Sequence, residues 1–282
     1  MPYAQIADGR IHYEMLGSGS QCIAFNPGGR NSLEVARPIA ARLAKEGYRV
    51  LIHDRRNSGS SDLLLSGDDW EQAIWGDHLY TLLEQEDALP AIVGGASSGC
   101  RMSLLMALRH PKAICGLLLC MVTDGAASEH NGRSYYGQFI EAAQSGGMEA
   151  VAATSFFSER IAQNPAAKDQ LLTTNAEDFI AVFSSWQAHS LAWKGHPILG
   201  CSEEDLRTIS VPTCIVPGAD DRHTRSAGEA LAKLLQDAEL HQTYTEKERE
   251  ELGLLSDKER RHESVKRLCN VYADFLGQRF PQ

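Results

Sequence analysis

The chain has 282 residues, 43% of them hydrophobic, and carries 27 Lys and Arg against 37 Asp and Glu, a formal net charge of -10. That balance argues against a nucleic-acid-binding surface, which needs clustered Lys and Arg, and no basic amphipathic stretch suggests a membrane surface. The length is enough for one large core or two modest ones.

Residues 1–15 lack a basic region followed by a long apolar run, so no signal peptide is expected, and the apolar runs are too short to span a bilayer. Seven cysteines form no C-x-x-C pair, which suits buried thiols in a reducing cytoplasm. Two short strands are expected around Tyr3-Ile6 and Ile11-Met15, with Asp8-Gly9 as their turn. A buried strand over Cys22-Phe25 ends in Asn26-Pro-Gly-Gly29, and Leu33 to Lys45 has helical spacing. Tyr48-Ile52 reads as the next strand and runs into a Gly/Ser-rich loop. Trp70 to Glu86 reads as a helix, Leu89-Val93 as a strand, Ser98 to Leu108 as a helix and Ala113-Cys120 as a strand. Such alternation indicates crossover connections and a mostly parallel sheet.

From Gly125 to about Glu204 no β-run appears, only helical patterns such as Tyr136-Gln144, Met148-Arg160 and Ala176-Leu191. The β/α rhythm resumes with Val211-Val216, Ser226-Leu235, Glu239-Tyr244 and a last helix from about Glu263 to Leu276. The expected organisation is a core of residues 1–124 and 205–282 completing one sheet across a helical cap of residues 125–204.

On this map Ser97 falls at a strand-to-helix junction, within Gly95-Ala-Ser-Ser-Gly99, which fits G-x-S-x-G. A sharp turn there brings strand and helix backbones together and leaves no room for side chains at 95 and 99. It also exposes the Ser97 hydroxyl and sets the Ser98 amide at a helix N-terminus, where free N–H groups and the helix dipole favour an oxyanion. A plain Gly/Ser turn with a capping serine would ask nothing more of the chain. A nucleophile needs a base, and the base a carboxylate to orient it. Ligands of parallel α/β sheets sit at the carboxyl ends of strands. Val211-Val216 is followed there by Asp220, Asp221 and His223, and His262 precedes the last helix.

Taken in order, Asn26-Pro-Gly-Gly29, Asp54-Arg-Arg-Asn-Ser-Gly-Ser-Ser61, Gly95-Ala-Ser-Ser-Gly99, Gly218-Ala-Asp-Asp221 and His262 resemble the α/β-hydrolase-fold superfamily, in particular its capped serine hydrolases. The resemblance implies an α/β-hydrolase fold with a mostly parallel sheet and a helical cap inserted after the sixth strand. It implies Ser97 as nucleophile, His262 as base and Asp221 as acid, the family placing its acid three residues after the glycine of this turn. Asp220, one residue early, would hold the turn. The oxyanion hole would be the amides of Gly29 and Ser98, although Pro27 stands where the family usually has histidine.

Alternatives are Asp124 as acid and His223 as base; His223 lies so near Asp221 that pairing with it while reaching Ser97 looks strained. Cys100 reads as a small helix-packing residue, and His53-Asp54 as a loop-positioning pair. Trp186, Trp193 and Phe183 of the cap are candidate substrate-binding residues. Neither a metal-ligand pattern nor a nucleotide motif is present, so no metal or cofactor is expected.

The expected reaction is hydrolysis of a carboxylic ester or lactone of a small, partly apolar substrate through an acyl-enzyme. C–C bond hydrolysis of a ring-cleavage diketo acid is the alternative, and a non-catalytic small-ligand receptor of the same fold is a third reading. The expected partner is a small molecule, with no nucleic acid and no membrane, and a homodimer is left open.

Overall fold

A computed structural model describes residues 2–7, 9–65, 67 and 69–281 of the chain; Asp8 of the expected first turn lies outside them. Strands β1 (Tyr3–Ile6), β2 (Gly9–Leu16), β3 (Cys22–Asn26), β4 (Arg49–His53), β5 (Ala91–Ala96), β6 (Ile114–Cys120), β7 (Thr213–Val216) and β8 (Ala238–Leu240) form one sheet. Their order is β1-β2-β4-β3-β5-β6-β7-β8. The β1–β2 and β2–β4 pairs are antiparallel; every later neighbour is parallel.

Parallel neighbours need crossovers, and helices supply them. Along the chain come α1 (Arg37–Lys45), α2 (Glu71–Gln85), α3 (Ser98–Arg109), α4 (Ser128–Gly132), α5 (Gln138–Ala152), α6 (Ser155–Gln163), α7 (Ala166–Thr173), α8 (Ala176–Leu191), α9 (Glu203–Leu206), α10 (Arg225–Leu234), α11 (Glu246–Gly253) and α12 (Asp257–Arg279). Side chains of a strand alternate between faces, so the central strands feed two cores. Ala91 and Val93 of β5 with Leu117 and Leu119 of β6 pack towards α2, α3 and α10. Ile92 of β5 with Leu118 and Cys120 of β6 pack towards α1 and α12. Burial on both faces explains why these strands read as continuous apolar runs in the sequence.

Between β6 and β7 the described chain is helical, α4 through α9 with a π-helical turn at Arg133–Gly137. The two ends of this stretch meet where the Gly125 amide donates to the His196 carbonyl at 2.9 Å. Its aromatic residues form a third core, in which Phe139, Phe179, Phe183 and Trp186 gather over Trp70 and Ala73 of the sheet-bearing part. Helix α8 coincides with the expected Ala176-Leu191. The largest boundary difference is at the C-terminus: α12 starts at Asp257 rather than near Glu263. Ser256 and Glu259 form a reciprocal capping box that satisfies the first-turn amides there.

Candidate active site

Ser97 joins β5 to α3 with φ of 55° and ψ of -116°. A non-glycine residue in that region costs about 1–3 kcal/mol and must be held by its surroundings. The Ser97 amide donates to the Cys120 carbonyl at 3.1 Å, tying the elbow to β6. Asn26 Nδ2 donates to Ser103 Oγ at 3.0 Å, and that hydroxyl donates to the Gly99 carbonyl at 2.8 Å, locking the end of β3 to α3. The two elbow glycines are obligatory by contact: a Cβ at Gly95 would lie 2.5 Å from the Gly99 carbonyl carbon, and one at Gly99 would lie 2.3 Å from the Asn26 oxygen. Cys100 is fully buried, its Sγ 2.9 Å from both the Gly95 and the Cys120 carbonyl oxygens, to either of which its one proton can be donated. Burial pushes its thiol well above the ordinary value, in keeping with a packing role.

The Ser97 hydroxyl lies 2.8 Å from Nε2 of His223. On its other side the same imidazole places Nδ1 2.9 Å and 3.0 Å from the two Asp220 carboxylate oxygens. With the Nδ1 proton donated to the carboxylate, Nε2 is left to accept the Ser97 proton. A tight turn makes this geometry. Asp220 Oδ1 accepts the amides of Arg222 and His223 at 2.9 Å and 3.0 Å, folding the chain so that a histidine three residues on returns to its own acid. Gly218 admits the fold-back, since a Cβ there would lie 2.3 Å from the His223 Cβ. Burial alone would raise the Asp220 pKa; hydrogen bonds from the imidazole and the two amides outweigh it and hold the carboxyl below its ordinary value.

The early glycine loop closes over the serine. A Cβ on Gly28 would approach Ser97 Cβ to 3.3 Å, and Gly29 adopts a φ of +57°. The Gly29 carbonyl is held from behind by the Ser98 hydroxyl at 3.0 Å and Arg55 Nη2 at 2.7 Å. Arg55 is buried against the Trp75 ring, 4.6 Å from its centroid, and burial lowers its pKa to about 10. The amides of Gly29 and Ser98 make no backbone hydrogen bond among the described residues; Gly29 borders the cleft, whereas Ser98 is buried beneath it. Above them lies a cleft of 510 Å³ whose walls include Ser97, His223, Asn31, Met121, His130 and Tyr135.

A family model described as the alpha/beta hydrolase fold matches residues 23–244. The chain belongs to that family. Over 110 residues it is 30% identical to the uncharacterized hydrolase YraK of Bacillus subtilis (strain 168), a stretch covering 39% of this chain and 40% of that protein. The chain also resembles the enol-lactonase from Burkholderia xenovorans LB400, with a TM-score of 0.63, 20% identity, and 98% and 99% of the two chains covered. A meta-cleavage product hydrolase from Pseudomonas fluorescens IP01 matches with a TM-score of 0.62 at 18% identity over 99% and 98%. A thermophilic esterase from Thermogutta terrifontis matches at the same score and identity over 96% and 94%. At these identities the structural likeness speaks for the fold.

Several expected site residues fall elsewhere. His262, expected as base, lies in the second turn of α12, exposed in a groove beside Pro38 and Arg42, because the capping box starts that helix ahead of it. It does not meet Ser97; His223 does. Asp221, expected as acid, is exposed and has no described hydrogen bond or ion pair, whereas Asp220 holds the imidazole. Asp124 caps the following turn through the Ala126 amide and accepts the Thr224 hydroxyl, so it does not orient the base. Trp186 and Phe183 are buried inside the cap core, Trp186 donating its indole N–H to the Asp69 carbonyl, and Trp193 packs on His196; none lines the cleft. Tyr135, His130 and Arg222, which do line it, were not singled out from the sequence.

Proposed function

We propose that the protein is a serine hydrolase that cleaves a carboxylic ester or lactone through an acyl-enzyme, with Ser97 as nucleophile, His223 as base and Asp220 as the orienting acid. The observation that carries this reading is the unbroken hydrogen-bond chain from the Ser97 hydroxyl through both imidazole nitrogens to Asp220, set at the carboxyl ends of β5 and β7. In this mechanism Ser97 Oγ attacks the carbonyl carbon as its proton passes to His223 Nε2. The amides of Gly29 and Ser98 receive the developing oxyanion. Collapse of the tetrahedral adduct expels the alkoxide, which takes the proton from Nε2 and leaves Ser97 acylated. Water then attacks the acyl carbonyl, gives its proton to Nε2, and Ser97 departs reprotonated with release of the acid. The helices of residues 125–204 serve in this reading as a cap, since His130 and Tyr135 reach the cleft from α4 and the turn after it.

A stopped-flow experiment with 4-nitrophenyl acetate tests the proposal. The expected record is a stoichiometric burst of nitrophenolate followed by slower turnover, and Ser97→Ala abolishes the burst. Retained turnover in S97A, or bound ester released intact by the wild type, would overturn it, the latter in favour of a receptor.

A further inference from the structure

The acidic excess of the chain does not extend to its cleft. Against 37 Asp and Glu in the sequence, none contributes to the described walls above Ser97, where the ionisable side chains are Arg222, His130, His223 and Tyr135. Arg222 is exposed and makes no salt bridge among the described residues. Its Nη1 donates to His130 Nε2 at 3.3 Å, so the turn that carries the acid and base touches the first helix of the cap at this cation. Of the nearby carboxylates, Asp220 is engaged with His223 and two amides and Asp124 with the Ala126 amide and Thr224, while Asp221, next to Arg222 in the chain, is exposed and makes no salt bridge with it among the described residues.

Further positive charge stands directly behind the wall. Arg55, fully buried, donates to the Gly29 carbonyl and makes no direct ion pair among the described residues, although Glu71 and Asp54 lie near enough to offset part of its charge. Arg101, also buried, donates to the hydroxyl of Thr123, a cleft residue, and likewise makes no such pair. Its Nε and Nη1 have no described hydrogen bond. Arg30 differs, because Glu71 neutralises it. Cations set in a low-dielectric wall project their field into the adjoining cleft, where it is weakly screened, and favour ligands of opposite charge.

Resting on the serine-hydrolase reading, we propose that the cleft selects esters or lactones that bear a second, anionic group, a carboxylate, which docks on Arg222 where the base-bearing turn meets the cap. The fork of N–H donors on a guanidinium matches a carboxylate in two points, and Arg222 has donors left beyond the one shared with His130. Docking there orients the reacting carbonyl over Ser97 while its far end is held at the rim.

The test compares 4-nitrophenyl glutarate with its far carboxylate free or methylated, following nitrophenolate release in both. The free acid is expected to show a kcat/KM about tenfold higher or more, a preference that shrinks as salt is raised. Arg222→Gln should bring the ratio of the two towards one, and Arg222→Lys should restore part of it. Equal rates for the two esters in the wild type, or the same preference in R222Q, would overturn the inference and leave the hydrolase reading standing. If neither ester is turned over, the hydrolase reading fails, and calorimetry with glutarate decides the inference separately. Weaker glutarate binding by R222Q than by the wild type supports it; equal binding, or none, overturns it.

Discussion

Replacing Asp220 by Asn keeps the shape of the acid and removes its charge. The turn survives, because the amide oxygen can still accept the Arg222 and His223 N–H groups now bound by Oδ1. That same oxygen lies 3.0 Å from Nδ1 and can still accept its proton once the new NH2 group, standing where Oδ2 lies 2.9 Å from Nδ1, turns away from the ring. What is lost is attraction between a carboxylate and the imidazolium formed in the transition state. Unit charges about 4 Å apart interact by about 1 kcal/mol in water and about 4 kcal/mol at an effective dielectric near 20. The Asp220 side chain is 51% exposed and that of His223 only 9%, which puts the pair between those limits. A loss of about 2 kcal/mol, or about 30-fold in kcat/KM, is expected, far below the roughly 10⁴-fold cost of neutralising a buried triad acid. Steady-state kinetics on a 4-nitrophenyl ester would measure it, with Asp221→Asn and Asp124→Asn in parallel and both expected to lose less. An unchanged kcat/KM in D220N, or a larger loss in either companion, would refute the assignment of the acid.

Glu71 is fully buried and its carboxylate binds Arg30, Asn57 and the Tyr136 hydroxyl, so Glu71→Gln should cost about 3–5 kcal/mol by leaving a buried guanidinium unpaired, as read from denaturant midpoints. Asp77 is held below its ordinary pKa: partial burial would raise it, but hydrogen bonds from Arg109 and His110 prevail. Its contribution, about 1 kcal/mol at this partial exposure, is present above the unfolded carboxyl pKa and is lost as pH falls through the lowered folded value. The thermal-stability gap between wild type and Asp77→Asn should therefore close on acidification. Burial pushes the thiols of Cys22 up to about 11 and of Cys120 and Cys201 up to about 12, while Cys115 alone of the seven is partly exposed. Mass spectrometry after brief thiol labelling at mild pH should find Cys115 modified first, and prior labelling of Cys100 would speak against its packed position.

The layout of the sheet was legible because its central strands are apolar on both faces and punctuated by helical periods, a pattern few other arrangements satisfy. The nucleophile turn was legible for a steric reason, the close approach that forbids a Cβ at 95 and 99. The base was not. Chain order pointed to His262, yet Ser256-x-x-Glu259 is a helix-start signal in the sequence that places His262 inside a helix. The spacing Asp220-x-x-His223 contains the other half of the answer, since an aspartate that accepts amides two and three residues on curls the chain back upon itself. The cap aromatics resisted assignment because composition does not divide a helical insertion into its own core and the walls of a cleft. That division arises only when Phe183 and Trp186 pack over Trp70 and leave Tyr135 on the cleft wall.

The central claim is that Ser97 is activated by His223, and covalent trapping tests it most directly. The intact protein is treated with a fluorophosphonate, and the rate and position of labelling are read by mass spectrometry in the wild type, Ser97→Ala, His223→Ala and His262→Ala. The account predicts a single label on Ser97 in the wild type, none in S97A, a rate near that of the wild type in H262A, and a rate in H223A lower by about 10²-fold or more, the usual share of a general base. Labelling of H223A as fast as the wild type, or loss of labelling in H262A alone, would contradict it.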